Sequence, residues 1–245
     1  MKTLVYNVQI ITKTGLHIGS GNTKIEIGGM DQPVIKDRDG FPYIPASSLK
    51  GKLRSLYEIT IFSEDLIKNR NDKNYGLKEF DGKNYDEVSM FFGKAGEFGN
   101  KKTDDKKQLE NLGPTRFIFR DLKLSEFDRK KLENLKNSGE SIFEEKTEVS
   151  INRFTGTSKQ GALRPIERVP AGTIFEGKLI VRLLDKKEIL DQYGKKSEKD
   201  ILIHKFGVNL SILKELIEND YLGGQGSRGS GEIEINFIEE IKNDN

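Results

Sequence analysis

The sequence predicts an α+β fold, four antiparallel strands and two helices in the order βαββαβ, and three observations carry that prediction. Apolar and polar residues alternate at the two-residue period of a half-buried strand in four separate stretches. Two further stretches repeat their apolar residues at helical spacing. The order of the six is strand, helix, strand, strand, helix, strand, which is the split βαβ or ferredoxin-like arrangement with both helices on one face of the sheet.

The first strand is TLVYNVQIIT at 3–12, with Leu4, Tyr6, Val8 and Ile10 on one side. The first helix is expected within 45–58, where Pro45 and Ser47 precede a stripe of Leu49, Leu53, Leu56 and Tyr57. Ser47 is expected to cap it. Strands follow at 115–124 and 173–184, both rich in aromatic and β-branched residues. The second helix covers Ser211 to Asn219. In the last strand Ile233, Ile235 and Phe237 alternate with Glu232, Glu234 and Asn236. The core of a single domain over 1–245 is thus expected from 3–12, 45–58, 115–124, 173–184 and 209–239, with extra helices at 126–136 and 197–206. RNA-recognition domains share this topology, but so do many unrelated activities, and function has to be sought in the insertions.

Three insertions stand out. Residues 13–44 separate strand from helix by far more than the connection needs, and include a hairpin turning at Asp37 to Gly40. Residues 68–112 are rich in Lys, Asp, Asn and Gly, with an apolar anchor at Met90, Phe91 and Phe92, and suggest a lid. Residues 140–172 hold two extended runs around TGTSKQGA and predict a protruding hairpin.

Composition narrows the chemistry. Cysteine is absent from the 245 residues, which excludes disulfides, thiolate zinc sites and thiol catalysis, and makes a reducing, cytoplasmic setting the expectation. Asn7, Gln9 and Thr12 interrupt the apolar residues of the amino terminus, so neither secretion nor membrane insertion is expected. Lys and Arg number 41 against 39 Asp and Glu, and a net charge of +2 gives almost no global field; any attraction to a polyanion must be local.

Local candidates exist. On the first helix Ser47, Lys50, Gly51 and Arg54 share the side opposite Leu49 and Leu53, with Lys52 nearby. Glycine inside a helix costs about 1 kcal/mol relative to alanine. Its use between cations suits close approach of a sugar-phosphate chain; a solvated face with an incidental glycine is the alternative. The segment 222–232, LGGQGSRGSGE, places Gly223, Gly224, Gly226 and Arg228 between helix and strand. It is either a phosphate-binding loop of backbone amides plus one arginine, or a tight turn, and it matches neither a Walker loop nor a dinucleotide fingerprint.

Asp31 follows Gly28 and Gly29 and precedes Pro33, on a loop that bends sharply. A lone carboxylate can orient one hydrated magnesium beside a phosphate, or simply form the turn. His17 and His204 are the two histidines, and neither has a zinc-binding context. His17 is open to a structural role or to proton transfer, and His204 to packing. The hairpin carries Arg153, Phe154, Lys159, Arg164 and Arg168, suited to an unstacked nucleic-acid strand; its acids Glu144, Glu145, Glu148 and Glu167 suit protein assembly equally.

These segments share a family resemblance. GLHIGSG at 15–21, IGGMDQPVI at 27–35, YIPASSLKGKLRS at 43–55, TEVSINRFTGTSKQGALRPIERVPAG at 147–172 and LGGQGSRGSG at 222–231 together resemble the RAMP superfamily of CRISPR effector proteins. More narrowly, they resemble the repeated backbone subunit of the type III-A, or Csm, effector. The resemblance implies a palm of RNA-recognition type, a lid over 68–112 and a thumb-like hairpin over 140–172. Copies would stack as a filament along a guide RNA with other Csm subunits, and target single-stranded RNA would be read by base pairing. It further implies RNA contacts by Ser47, Lys50, Gly51, Lys52, Arg54, Arg153, Arg164, Arg168, Gly223, Gly224, Gly226 and Arg228, with His17 auxiliary. Asp31 in the 13–44 insertion matches the family's catalytic aspartate, which cuts target RNA with Mg2+ or another divalent cation, and no zinc is expected. Ala46 departs from the glycine of relatives, and Glu148, Val149 and Ser150 replace a more amide-rich stretch. The alternatives are a non-catalytic RNA-binding RAMP subunit, the related type III-B (Cmr) backbone, or a phosphate-binding enzyme acting on small molecules.

Overall fold

A computed structural model of the chain describes residues 2–21, 32–68, 85–93, 114–185, 197–206 and 210–240. The central sheet is built on β1 (Lys2–Thr12), whose Tyr6, Val8, Ile10 and Thr12 are buried while Asn7 faces outward. On one side β1 pairs antiparallel with β6 (Ile174–Leu183), from Lys2↔Leu183 to Ile11↔Ile174. On the other it pairs antiparallel with β7 (Ile233–Glu239). β2 (Phe117–Phe119) adds to the far edge of β6, giving the order β2-β6-β1-β7. The result is a mixed α/β structure with antiparallel sheets.

One face of this sheet is covered by helices. α1 (Ala46–Lys68) buries Leu49, Leu53, Leu56 and Tyr57, the stripe its spacing predicts. α5 (Ser211–Glu218) buries Leu213 and Ile217, and its Glu218 carboxylate accepts the outward Ile235 N–H of β7 at 2.8 Å, so the sheet edge is protected there. From the expected lid the structure describes residues 85–93, where α2 (Tyr85–Phe92) drives Met90, Phe91 and Phe92 into the same core. Phe117 meets Phe91 and Phe92 with ring centroids 5.0 and 5.3 Å apart. The rest of that insertion lies outside the described residues.

Two elements differ from expectation. The strand expected at 115–124 divides into β2 and β3 (Lys123–Leu124), both on β6, with a one-residue shift in register between Phe119↔Leu179 and Lys123↔Glu176. The extra residue lets Leu122 turn away and exchange two 2.9 Å backbone bonds with Ile44. The helix start is also corrected. Pro45 C=O already accepts from Ser48 and Leu49, and the Asp121 carboxylate takes the Ala46 N–H at 2.8 Å; Ser47 therefore lies inside the first turn and does not cap it.

α3 (Glu126–Asn137) follows and closes a small second core of Phe41, Leu132 and Ile142. Its Arg129 lies over the Phe41 ring at 3.7 Å and pairs with Asp37 at 3.0 Å and Asp39 at 2.7 Å, clasping the 36–42 hairpin. β4 (Glu144–Ile151) and β5 (Ser158–Arg168) then form a separate two-stranded sheet, the expected protruding hairpin. α4 (Glu198–Phe206) is bound to the core by Glu198, which pairs with the buried Arg116 guanidinium through bonds of 2.7 and 3.1 Å. The His204 side chain lies outside the described residues. No described helix is long and apolar enough to cross a membrane.

Candidate nucleic-acid interface

Lys50 is a half-buried cation of α1. It has no ion-pair partner among the described residues, and partial burial, with Arg54 nearby, lowers its pKa below the ordinary lysine value. Together with Ser47, Thr115 and Arg182 it lines a groove of about 230 Å³ whose floor includes Phe117 and Phe119. Arg182 did not stand out in the sequence; the available signal was its place on β6 between Val181 and Leu183, which point into the core. The next residue, Gly51, is exposed, and a Cβ there would meet nothing within 4 Å. No packing among the described residues requires a glycine at that position.

The neighbouring cations are engaged within the chain. Lys52 pairs with Asp220 at 3.1 Å and lies 3.8 Å from the Tyr221 ring centroid. Arg54 pairs with Glu58 at 2.7 Å and donates to the Gly93 carbonyl at 2.8 Å, tying α1 to the end of α2. Both sit beside the Lys50 face, but their charge is largely spent on structure.

The 222–232 loop is held against residues 15–18, and its glycines answer to that contact. Gly223, at φ +81°, would place a Cβ against the His17 carbonyl, and Gly231, at φ +82°, against that of Leu222. The Gly224 N–H donates to His17 O at 2.8 Å, Gly231 N–H to Gly15 O at 3.0 Å, and Gly226 packs on the Tyr221 ring. Many of the amides expected to cradle phosphate are therefore satisfied internally. Arg228 remains at the surface with its side chain 60% exposed, bonded to Glu148 and, at 2.9 Å, to Gln225 Oε1.

Arg228 thereby adjoins the β4–β5 hairpin. A groove of about 710 Å³ runs along it, lined by Glu148, Ser150, Ile151, Arg153, Arg164 and Arg228 among others. Arg153 and Arg164 are exposed and without an ion-pair partner among the described residues, and Phe154 at the tip is fully exposed. Arg168 is different: it pairs with Glu144 at 2.6 Å and donates to Ser230 at 3.1 Å, and so fastens the root of the hairpin to the loop.

The same root holds the chain on either side of Asp31, which itself lies outside the described residues. Glu167 is buried; it accepts Val34 N–H at 2.8 Å and Lys36 Nζ at 2.9 Å, and its own N–H reaches Gln32 O at 3.2 Å. Gly19 bridges to Val34, and Ser20 N–H donates to Pro33 O at 3.2 Å, so the chain departs after Gly21 and returns at Gln32 beside its own exit. His17 is buried below. Its Nδ1 lies 2.8 Å from the Glu167 carbonyl, which can only accept, so Nδ1 donates in this contact.

Among the described residues no group of three His, Asp or Glu side chains gathers to hold a metal ion. A dedicated protein cage for a divalent cation is therefore not found there. A single carboxylate suits only a cation that keeps most of its waters and takes phosphate oxygens as further ligands, which is the habit of Mg2+.

Comparison with known proteins bears on this arrangement. The sequence profile of the RAMP superfamily matches residues 9–234. The chain is 36% identical over 236 residues to the CRISPR system Cms endoribonuclease Csm3 of Methanocaldococcus jannaschii, covering 94% of this chain and 77% of that one. It is 34% identical to the protein of the same name from Streptococcus thermophilus, covering 93% and 84%. Among solved structures, a chain of a type III-B Cmr-beta complex bound to cognate target RNA superposes with a TM-score of 0.54 over 97% of both chains; at 16% identity that likeness concerns the fold alone. On the family match and these identities, the chain belongs to the RAMP superfamily.

Proposed function

We propose that this chain is an RNA-guided endoribonuclease, the backbone subunit of a type III-A CRISPR effector, acting in the cytoplasm. The relatives named as CRISPR endoribonucleases support the activity. The observation that carries the RNA-binding part is a groove shared by Lys50 and Arg182, without ion-pair partners among the described residues, with the open helical Gly51 next to Lys50 in sequence, on a chain of net charge +2. A sugar-phosphate strand can lie close to the α1 backbone there, with Ser47 offering a hydroxyl. Arg153, Arg164 and Arg228 extend the cationic surface along the hairpin. The strand order β2-β6-β1-β7 under α1 and α5 supports reading the core as a ferredoxin-like palm, with the hairpin as its thumb.

Cleavage is assigned to Asp31. Gln32, the next residue in sequence, bridges to Ile166 at the root of the hairpin, and this supports the assignment. With the thumb displacing a target nucleotide, the 2′-oxygen attacks the adjacent phosphorus and the bond to the 5′-oxygen breaks. The 2′-hydroxyl loses its proton, the departing 5′-oxygen gains one, and the products are a 2′,3′-cyclic phosphate and a 5′-hydroxyl. Asp31 would hold a Mg2+ ion, whose chemistry when bound is to offset the charge gathering on the phosphate oxygens. Asp31 orients the attacking group or receives its proton, and much of the acceleration comes from alignment.

Guide RNA, target RNA, further copies of this chain and other Csm subunits are the partners on this reading. Purifying the chain in its native assembly and sequencing the bound RNA tests it. Repeat-derived guides of uniform length are expected, and an assembly free of RNA would overturn it.

A further inference from the structure

In the groove along the β4–β5 hairpin, Glu148 is the one anion among the lining residues, facing Arg153, Arg164 and Arg228. Its carboxylate is 16% exposed and contacts the Arg228 guanidinium, while its Cα stands opposite Arg164 in the hairpin register. The Lys146 ammonium lies 3.9 Å from the other oxygen of Glu148 and donates to the Arg228 carbonyl at 2.7 Å. The carboxylate thus occupies the position among these cations that suits an external anion.

We infer that Glu148 is an internal competitor for phosphodiester at Arg228, released when a nucleic-acid strand enters the groove. This rests on the proposal that Arg228 faces RNA. Arg228 Nη1 is held by Glu148 Oε2, so a phosphodiester that takes the guanidinium edge carrying Nη1 has to displace the carboxylate from it. Arg228 is free to change partner because its side chain is 60% exposed. Glu148 is not stranded when it does, since Lys146 remains beside it. The consequence is a threshold: a lone anion gains little by displacing the carboxylate, whereas an RNA that also engages other cations of the surface can do so.

The test is the affinity of the full chain for a labelled mixed-sequence single-stranded RNA at low salt, by anisotropy, across four variants. Glu148→Gln is expected to tighten binding about two- to fivefold, the range set by a solvent-accessible ion pair. Arg228→Ala is expected to weaken binding, and Glu148→Gln combined with Arg228→Ala to match Arg228→Ala alone. Glu148→Asp keeps the charge but withdraws the carboxylate from Arg228, and is expected to tighten binding to a smaller degree. Binding unchanged or weakened by both Glu148 variants, with the unfolding midpoint unmoved, overturns the competition. So does a gain that persists without Arg228, which would be a general charge effect. Wild-type affinity in Arg228→Ala is a different failure: it removes Arg228 from the RNA surface and takes the underlying reading of that residue with it.

Discussion

The Glu167 carboxylate and the Val34 N–H meet at 2.8 Å inside the protein, and through this bond the root of the hairpin holds the segment that follows Asp31. Replacing Glu167 with Ala leaves that N–H without its acceptor and Lys36 without its ion pair. A loss of about 2 kcal/mol in unfolding free energy is expected. Glu167→Gln keeps an acceptor for Val34 and should lose less. Urea unfolding of the two variants checks the order.

Asp37 gives the fold an acid limit. Burial alone would raise its pKa, but the Phe41 N–H, the Arg129 guanidinium and the Asp39 N–H outweigh it and hold the carboxyl below the ordinary aspartate value. A depressed folded-state pKa contributes stability above the unfolded-state value and loses it as pH falls through the folded-state value. The thermal midpoint of wild type should therefore exceed that of Asp37→Asn at neutral pH, with the gap closing as pH falls below the ordinary aspartate range. A gap independent of pH would contradict the assignment.

Gly51→Ala separates stability from binding. The added methyl enters open space on an exposed helical position, so the variant should be more stable by about 0.5–1 kcal/mol. If a sugar-phosphate strand lies against that backbone, the same methyl weakens RNA binding. A variant that is more stable and binds RNA as before would mark Gly51 as incidental.

Lys50→Ala should weaken RNA binding regardless of sequence and reduce the slope of log affinity against log salt by about 0.7, the value for one phosphate contact on a single strand. Arg182→Ala, across the same groove, should do likewise. Arg54→Ala should act mainly on thermal stability, because its guanidinium binds Glu58 and Gly93. Titration at several salt concentrations distinguishes the three.

Where a contact is local, the sequence carried it. The spacing of Leu49, Leu53, Leu56 and Tyr57 predicts the buried face of α1, and the alternation of Ile233, Ile235 and Phe237 that of β7, because period and burial are one property of each element. The helix cap was hidden because Asp121, which takes the Ala46 N–H, lies 75 residues away in sequence. The engagement of Lys52 and Arg168 was hidden for the same reason, since Asp220 and Ser230 reach them only through the fold. The glycines of 222–232 marked a special backbone without revealing that its main contact is His17. Asp31 was marked by its neighbours in sequence and lies outside the described residues, so its role stands on family resemblance and on the anchoring of Gln32.

The central claim is that Asp31 cuts an RNA which the basic surfaces hold. It is tested most directly by comparing wild type and Asp31→Ala in complexes reconstituted with guide RNA, measuring target binding and cleavage on the same preparation with Mg2+ present. Unchanged target affinity and loss of the regularly spaced cuts are expected. Target RNA that is still bound and still cut at every interval by Asp31→Ala would contradict it.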